Sequence, residues 1–291
     1  MKIHLVDGTY ELFRNYFGAP KRKSPDGREV GATVGLLRSM IALLARPGTT
    51  HVACAFDHVI ESFRNGLFPG YKTGEGIEPD LLFQFPLAEE AVSALGIVVW
   101  PMVKFEADDA LATAATCFKD ATAVEQIVIC SPDKDMTQMV TGNRVVCWDR
   151  RRDIVLDEEG VVQKFGVRPV SMPDWLALVG DTADGYPGIQ GWGAKSASAV
   201  LSRFMHLESI PQDPQQWGLK VGRAPYLSEN LESHRKDALL YRQLATLRED
   251  VPLEETIDDL QWRGARERLR QLCSELGDEE LPGRIVAPRS S

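Results

Sequence analysis

Short apolar runs alternate with longer amphipathic stretches over the first half of the chain. Five runs have the length and the branched or aromatic content of strands: Lys2–Val6, Val52–Phe56, Ile97–Trp100, Ile127–Cys130 and Arg144–Trp148. Between them, apolar residues recur at spacings of three and four, as in amphipathic helices, over Ala32–Leu44, Leu82–Leu95 and Ala107–Phe118. This alternation predicts an α/β fold with helices on both faces of a mostly parallel sheet.

The pattern changes near residue 170, where the strand-like runs end. Helical spacing continues at Met172–Val179, Lys195–Phe204 and Asn230–Leu247. We therefore expect a sheet-containing part at residues 1–170 and a helical part at residues 171–291. Two segments of the first part are expected to be long loops, the polar Gly18–Val30 and the Gly/Pro-rich Phe63–Pro79. Long loops in such domains are usually functional or mobile.

Composition indicates a folded chain of ordinary type. The 291 residues are 44% apolar and 26% charged, which excludes general disorder. An excess of 42 acidic over 33 basic residues argues against binding nucleic acid through bulk positive charge, although it leaves a local basic groove open.

The sequence also bears on the compartment. The first apolar run reaches Asp7 too early for a signal peptide, and no stretch has the length of a membrane span. The five cysteines are scattered, and Cys54, Cys130 and Cys147 lie in predicted core strands. We expect reduced thiols in a cytoplasmic protein without membrane contact.

Carboxylates follow most of the predicted strands. The ends of the first four strands and of the helix Met172–Val179 are followed by Asp7, Asp57, Glu106, Asp108, Asp109, Asp133, Asp135, Asp181 and Asp184. Each of them alone is also explained as a helix cap. Because the carboxyl ends of parallel strands meet at one edge of a sheet, the set together would repel strongly without a counter-charge.

Oxygen ligands without nearby Cys or His favour Mg²⁺ or Mn²⁺ over zinc. Nine carboxylates are too many for one Mg²⁺. Two ions about 3.5–4 Å apart would suit displacement of an oxygen at phosphorus. The sequence therefore predicts a two-metal phosphate site.

Three cations accompany these acids. Arg14 follows Asp7 by two helical turns, and Arg64 and Lys72 lie in the irregular segment after Asp57. Either they contact a phosphate or they are surface charges paired with the acids.

A glycine-rich loop precedes the helix Lys195–Phe204. It contains Gly188, Ile189, Gly191 and Gly193, and Lys195 and Ser196 stand in the first helical turn. Backbone N–H groups at such a terminus bind phosphate without reading sequence. A glycine turn that only packs two helices explains the loop alone equally well.

These residues resemble one known family, the bacterial 5′–3′ exonucleases, which include the N-terminal 5′-nuclease domain of DNA polymerase I within the flap endonuclease superfamily. The resemblance covers roughly residues 2–205. It rests on Leu5-Val6-Asp7-Gly8, Phe13-Arg14, Ala55-Phe56-Asp57, Phe63-Arg64, Tyr71-Lys72, Gln84-Phe85-Pro86, Glu106-Ala107-Asp108-Asp109, Ser131-Pro132-Asp133-Lys134-Asp135, Gly180-Asp181 with Asp184, and Pro187-Gly188-Ile189.

The resemblance implies a PIN-like core and a helix–three-turn–helix DNA-binding motif at about 174–205. It implies Mg²⁺- or Mn²⁺-dependent hydrolysis of DNA at 5′ ends and flaps, in replication or repair, with RNA primers as further substrates. The nine carboxylates match the family's metal cluster. Arg64 and Lys72 match its phosphate-steering residues, and the loop at 188–193 matches a K⁺ site. We further expect a monomer that associates with a polymerase or clamp.

The sequence departs from the family pattern at four positions. Glu75 and Glu78 follow Lys72 where basic residues are usual, and they would repel a threading strand. Gly185 replaces a polar residue after the last acidic ligand. Trp192 stands where smaller residues are usual, and stacking on DNA and packing are both open for it.

Two other functions fit part of this sequence. A catalytically silent DNA-junction binder would be expected to lose acidic ligands or the glycine loop, and both are retained. An acid phosphatase-like or RNA-cleaving PIN enzyme would not need the loop before Lys195. The nine candidate ligands equal the whole excess of acidic over basic residues, so the net charge of −9 no longer argues against DNA.

Overall fold

The computed structural model describes residues 1–285 and 287. In chain order, its strands and α-helices are β1 (Lys2–Asp7), α1 (Gly8–Gly18), α2 (Gly31–Leu44), β2 (Thr49–Asp57), α3 (Pro79–Leu82), α4 (Gln84–Ala94), β3 (Val98–Met102), α5 (Ala107–Phe118), β4 (Gln126–Cys130), β5 (Val145–Asp149), β6 (Ile154–Leu156), α6 (Glu158–Phe165), α7 (Met172–Val179), α8 (Ala194–Phe204), α9 (Ala224–Ser233), α10 (Arg235–Ala245) and α11 (Arg268–Glu275).

Contacts divide the chain into two compact units. The first, here called the sheet unit, comprises Met1–Ile60, Gly74–Ser131 and Glu249–Ser291. The second, the helical unit, comprises Glu61–Thr73 and Pro132–Arg248. These bounds cross the expected boundary at residue 170, because the segments at 61–73 and 132–170 cluster with the later helices and the segment after 248 clusters with the sheet. The division into 1–170 and 171–291 stays a prediction.

Parallel strands build the sheet unit, in the order β3-β2-β1-β4. Strand β2 is buried at nearly every position and β1 at all but its first residue. Continuous burial is typical of parallel strands covered on both faces, and it explains why these strands appear in the sequence as unbroken apolar runs. Cys54 in β2 and Cys130 in β4 are buried free thiols, as predicted.

Helix α5 shows how the sequence sets an element next to the sheet. Glu106 is its N-cap residue, and the carboxylate of Asp109 accepts a hydrogen bond from the Glu106 backbone N–H at 3.0 Å. Acidic residues in the first turn also complement the positive end of the helix dipole. The buried residues Ala107, Ala110, Leu111 and Phe118 lie on one face, and the helix packs against β1, β2 and β3.

The helical unit contains the antiparallel pair β5–β6 and helices α6 to α10. Helix α7 packs against both α8 and α10. A buried carboxylate joins these elements, because Asp174 in α7 accepts a hydrogen bond from Arg242 in α10 at 3.1 Å and lies 2.9 Å from the ring Nδ1 of His206. No strand follows Leu156 within the described residues, as the sequence predicts.

The prediction of one helix over Asn230–Leu247 is wrong. Two helices, α9 and α10, meet at His234, whose backbone angles of φ −118° and ψ 25° are not helical. Its ring Nδ1 lies 3.0 Å from the carbonyl oxygen of Asn230. The neighbouring residues contain neither Gly nor Pro, so the sequence carries no signal for this break.

The loops are where the sequence places them. Residues 19–30 join α1 to α2, and no α-helix or strand occurs between β2 and α3.

Within the described part of the chain, no helix combines the length and apolar character that crossing a bilayer requires.

Asp278 fastens the late segment of the sheet unit to its early loop and helix. This buried carboxylate accepts hydrogen bonds from Arg22 at 3.1 Å and from Arg38 in α2 at 2.7 Å. We expect Asp278→Ala to lower the free energy of unfolding by about 1–2 kcal/mol, since both arginines are partly exposed and water screens the pair. Urea unfolding measures this, with the exposed Glu279→Ala as the control. Equal stability of the two variants would contradict it.

Candidate metal centre and phosphate-binding loops

In the sheet unit, acidic residues stand at the carboxyl ends of neighbouring strands. Asp7 ends β1 and Asp57 ends β2, while Glu106 follows β3 and begins α5. Asp7 accepts hydrogen bonds from the Tyr10 N–H and the Ser131 hydroxyl, both at 2.8 Å. Asp57 accepts one from the N–H of Ala107 at 2.7 Å. The structure therefore fixes these carboxylates at one edge of the sheet, as strand order predicts.

Asp108 and Asp109 differ in their surroundings. Asp109 is fully buried, and one of its carboxylate oxygens caps α5 through the Glu106 N–H. Asp108 is half-buried in the first turn of the same helix. The capping explanation thus applies directly to Asp109, and the ligand role of both residues stays a prediction.

In the helical unit, Asp135, Asp181 and Asp184 come together. Each offers a carboxylate oxygen, and the three oxygens lie within 4.8 Å of one another. Asp135 begins a short 3₁₀ helix, Asp135–Met139, and the other two residues follow α7. Asp133 is exposed, and its carboxylate accepts a hydrogen bond from the Asp135 N–H at 2.9 Å, so it caps this turn.

A tight backbone contact positions two of these ligands. Gly180 and Gly188 have φ of +85° and +72°, and a Cβ on Gly188 would lie 2.4 Å from the backbone nitrogen of Gly180. Between them, Asp181 and Tyr186 exchange backbone hydrogen bonds of 2.9 and 3.0 Å. Since only glycine fits both conformation and space, these two glycines hold the acidic turn against the start of the glycine loop.

Lys134 supplies a positive charge among these acids. Its ammonium group donates a hydrogen bond to Asp181 and lies 3.8 Å from Oδ1 of Asp135. That Oδ1 atom is buried and accepts no hydrogen bond. Burial raises the pKa of Asp135 well above its ordinary value, and the negative charges of Asp133, Asp184 and Asp181 raise it further, while Lys134 opposes them.

This arrangement fits a hard cation. A buried carboxylate oxygen without a hydrogen bond is costly unless positive charge neutralises it, and Lys134 at 3.8 Å supplies part of that charge. The donor set is made only of oxygens, which suits Mg²⁺, Mn²⁺ or Ca²⁺ and not a thiolate-preferring metal. The residues present therefore fit a divalent ion at Asp135, Asp181 and Asp184.

Tyr186 lies beside the cluster and was not singled out from the sequence. Its side chain is 1% exposed and its hydroxyl has no hydrogen-bond partner. Such a group costs about 1–3 kcal/mol when it stays unpaired. Burial is the largest cause that raises the pKa of Tyr186, and the charges of Asp135, Asp184, Asp181 and Asp133 raise it further. Its position two residues after the last predicted ligand is the only signal that the sequence offers.

Lys72 lies close to Asp184, the third carboxylate of the cluster. Its ammonium group is 3.9 Å from Oδ1 of Asp184, and its backbone N–H donates to the Asp184 carbonyl oxygen at 3.0 Å. The chain passes so closely here that a Cβ on Gly185 would lie 2.2 Å from the carbonyl oxygen of Gly70. The glycine that departs from the family pattern is therefore required by this contact.

Arg64 is placed differently from a surface cation. Its side chain is 1% exposed, and its guanidinium donates to the carbonyl oxygens of Leu244 at 2.8 Å and Thr246 at 3.1 Å. These carbonyls lie at the carboxyl end of α10, where a positive charge also complements the helix dipole. The geometry gives Arg64 an anchoring role, and its phosphate contact stays a prediction.

Arg14 lies in α1 of the sheet unit. It forms a salt bridge with Glu11 and donates a hydrogen bond to the hydroxyl of Ser39 at 3.0 Å. The same glutamate accepts a hydrogen bond from Ser39 at 2.8 Å. Arg14 is thus part of a local network between α1 and α2, and contact with a phosphate stays a prediction for it as well.

One of the two acids after Lys72 is already engaged. Glu78 accepts a hydrogen bond from the Tyr16 hydroxyl at 2.7 Å, and the ammonium group of Lys21 lies 3.4 Å from the centre of the Tyr16 ring. The charge of Glu78 is therefore partly compensated within the sheet unit. This weakens the repulsion that the sequence predicts for a passing phosphate backbone.

The glycine loop leads into α8. Ile189 is buried, and Gly191 has φ of +88°. The hydroxyl of Ser196 is 3.0 Å from both the N–H and the carbonyl oxygen of Gly193, so it caps the helix, while Lys195 is exposed at the same end. A helix N-terminus thus stands where the sequence predicts it, and phosphate binding there stays a prediction.

Trp192 packs inside the helical unit. Its indole N–H donates to the carbonyl oxygen of Leu227 at 3.0 Å, and its ring centre lies 5.9 Å from that of Trp217. Because the side chain is buried, packing and not stacking on DNA explains the tryptophan at this loop position.

Two family models match the chain in succession. They are the 5′–3′ exonuclease N-terminal resolvase-like domain over residues 2–166 and the 5′–3′ exonuclease C-terminal SAM fold over residues 167–268.

Curated relatives agree with these matches. A 5′–3′ exonuclease of Aquifex aeolicus is 32% identical over 96% of this chain and 92% of its own. DNA polymerase I of Bacillus caldotenax is 31% identical over 99% of this chain, but over 33% of its own length. This chain thus spans about a third of the DNA polymerase I relatives that it matches.

Solved structures share the fold. The T5 D15 protein co-crystallised with metal ions superposes with a TM-score of 0.67 at 16% identity, over 98% of this chain and 97% of that one. The catalytic core of Rad2 in complex with DNA substrate gives a TM-score of 0.60 at 16% identity, over 98% and 91%. With the strand-end acids and the Asp135 cluster, these matches lead to one conclusion: the chain belongs to the 5′–3′ exonuclease family of nucleases, on a mixed α/β fold with mostly parallel strands.

Proposed function

We propose that this protein is a structure-specific 5′ nuclease that hydrolyses DNA phosphodiester bonds at 5′ ends and flaps with two divalent ions, in replication or repair. One observation carries the proposal. In a chain of the 5′–3′ exonuclease family, three carboxylate oxygens lie within 4.8 Å of one another, and a buried oxygen of Asp135 has no hydrogen-bond partner. A divalent cation would neutralise this cluster.

Mg²⁺ is the proposed ion, with Mn²⁺ as a substitute, because all the donors are oxygens. Asp135, Asp181 and Asp184 would hold one ion. Asp7, Asp57, Glu106 and Asp108 are proposed ligands of the same chemistry, with lesser parts for Asp109 and Asp133, whose carboxylates cap turns. Bound ions would supply a hydroxide nucleophile and neutralise charge on the phosphate.

The chain's own cations would position the DNA. The ammonium group of Lys72, which lies near Asp184, would stabilise charge that develops on the phosphate. Lys195 and the N–H groups at the start of α8 would bind the DNA backbone, with a K⁺ ion at the carbonyls of residues 188–193. RNA primers as substrates, association with a polymerase or clamp, a monomeric state and a cytoplasmic location complete the proposal.

The metal requirement is tested on a 5′-labelled flap substrate. We expect cleavage with Mg²⁺ or Mn²⁺, none with EDTA, and a loss of at least about 10³-fold in kcat for Asp135→Asn while DNA binding persists. Without metal the variant should unfold at a higher temperature than the wild type, because burial and neighbouring acids disfavour the charge that it removes.

Asp237→Asn, on the exposed side of α10, is the control and should leave kcat unchanged. A flap that stays intact with both metals would instead indicate a DNA-junction binder without catalysis.

Lys72 is tested by separating binding from chemistry. Lys72→Met should lower kcat by about 10–100-fold and change the Kd for flap DNA by less than about threefold, since the charge acts on the transition state. Single-turnover cleavage and fluorescence anisotropy measure the two quantities. The exposed Lys236→Met is the control. Equal losses in kcat and in affinity for flap DNA would show that Lys72 only anchors the DNA.

Lys195 is tested by the salt dependence of binding. Lys195→Ala should weaken binding equally on flaps of different sequence and reduce the slope of log K against log salt by about 1, because one phosphate contact is lost. The variant Lys164→Ala, in α6, serves as the control. An unchanged slope would show that the α8 terminus only packs the helices.

A further inference from the structure

In the described part of the helical unit, three buried side-chain polar atoms have no hydrogen-bond partner: the hydroxyls of Tyr186 and Ser171, and Oδ1 of Asp135. Two of them, the Tyr186 donor and the Asp135 acceptor, lie at or beside the three-carboxylate cluster. Buried polar groups are nearly always paired, so an exception in a native structure indicates a water, an ion or a functional role. Here the acceptor belongs to the three-carboxylate cluster, whereas the donor belongs to a residue outside it.

The Tyr186 side chain cannot turn away to satisfy its hydroxyl elsewhere. Its backbone is fixed by the two hydrogen bonds with Asp181, and its ring stacks on that of Tyr241 with centres 5.6 Å apart and planes 21° apart. The ring of Phe68 packs edge-on against the other aromatic, Tyr241, at 6.0 Å. The aromatic stack therefore holds the hydroxyl in one place.

The carboxylates near Tyr186 set the character of this hydroxyl. The charges of Asp135, Asp184, Asp181 and Asp133 all act on it, so the hydroxyl lies close to the cluster. A phenol is protonated at neutral pH and can donate a hydrogen bond. It nevertheless donates to none of these carboxylates.

A fixed donor beside hard oxygen ligands has a clear use. A small divalent cation gives up its waters reluctantly and keeps several of them when carboxylates bind it. Each retained water offers a lone pair, and partners of this kind orient ligands and tune affinity. The three carboxylates would bind the ion directly, so the Tyr186 hydroxyl would remain available for a water that the ion retains.

We propose that Tyr186 is a positioning residue whose hydroxyl donates a hydrogen bond to the hydration shell of the divalent ion held by Asp135, Asp181 and Asp184. This inference rests on the proposed function, because it presupposes that ion. It adds a residue outside the nine acids and gives the buried Tyr186 hydroxyl a partner.

The variant Tyr186→Phe keeps the ring stack and removes the hydroxyl. The proposal predicts that it loses affinity for metal without losing stability. In EDTA the variant should unfold at the same temperature as the wild type or higher, because it loses only an unpaired buried group. Its affinity for Mn²⁺ alone, without DNA, should fall by about 10-fold. Differential scanning fluorimetry measures the first quantity, and electron paramagnetic resonance of free Mn²⁺ measures the second.

Tyr241→Phe is the matched control, because it removes the hydroxyl of the stacking partner, whose pKa is raised by burial and by Asp237 and not by the cluster. Its Mn²⁺ affinity should equal that of the wild type. Unchanged Mn²⁺ affinity in Tyr186→Phe would overturn the inference, as would a lower unfolding temperature in EDTA, which would reveal a structural hydrogen bond. Failure of the wild type to bind Mn²⁺ would instead overturn the proposed metal centre.

Discussion

Repulsion among buried carboxylates is the constraint around which the helical unit is built. Asp135, Asp181 and Asp184 bring their oxygens within 4.8 Å, and burial strengthens their mutual repulsion. The ammonium groups of Lys134 and Lys72 offset part of it. Folding must overcome this cost through packing elsewhere, and the stacked aromatic rings and close glycine contacts beside the cluster supply rigid support. An enzyme gains from such strain, since a cation then binds to ligands that are already in place.

The turn that carries Asp181 and Asp184 is also the start of the glycine loop. Gly180 and Gly188 touch through their backbones, so the metal ligands and the helix terminus at α8 share one junction. Geometry of this kind links the proposed ion site to the proposed phosphate-binding terminus of α8 within the same unit. Farther along the loop, the indole N–H of Trp192 donates a hydrogen bond to the carbonyl oxygen of Leu227.

The sequence predicted those features that follow from periodicity and strand order. Unbroken apolar runs identified β1 and β2, and the strand-end rule located Asp7 and Asp57. Features that depend on long-range contacts had no local signal. The helix break at His234 occurs in a polar stretch without Gly or Pro, and the burial of Arg64 contradicts the usual exposure of its residue type. Capping and metal binding use the same residue type, so the sequence alone cannot assign Asp109 to one role or the other.

The anchoring of Arg64 has a consequence for the order of events during translation. Its guanidinium donates hydrogen bonds to the carbonyl oxygens of Leu244 and Thr246. These residues lie 180 and 182 positions farther along the chain. The segment Glu61–Thr73, which carries Lys72, therefore leaves the ribosome long before its anchor exists. Contacts of such separation form late, after the intervening residues have been synthesised. A nascent chain therefore carries the segment around Lys72 without this anchor until Thr246 has been synthesised.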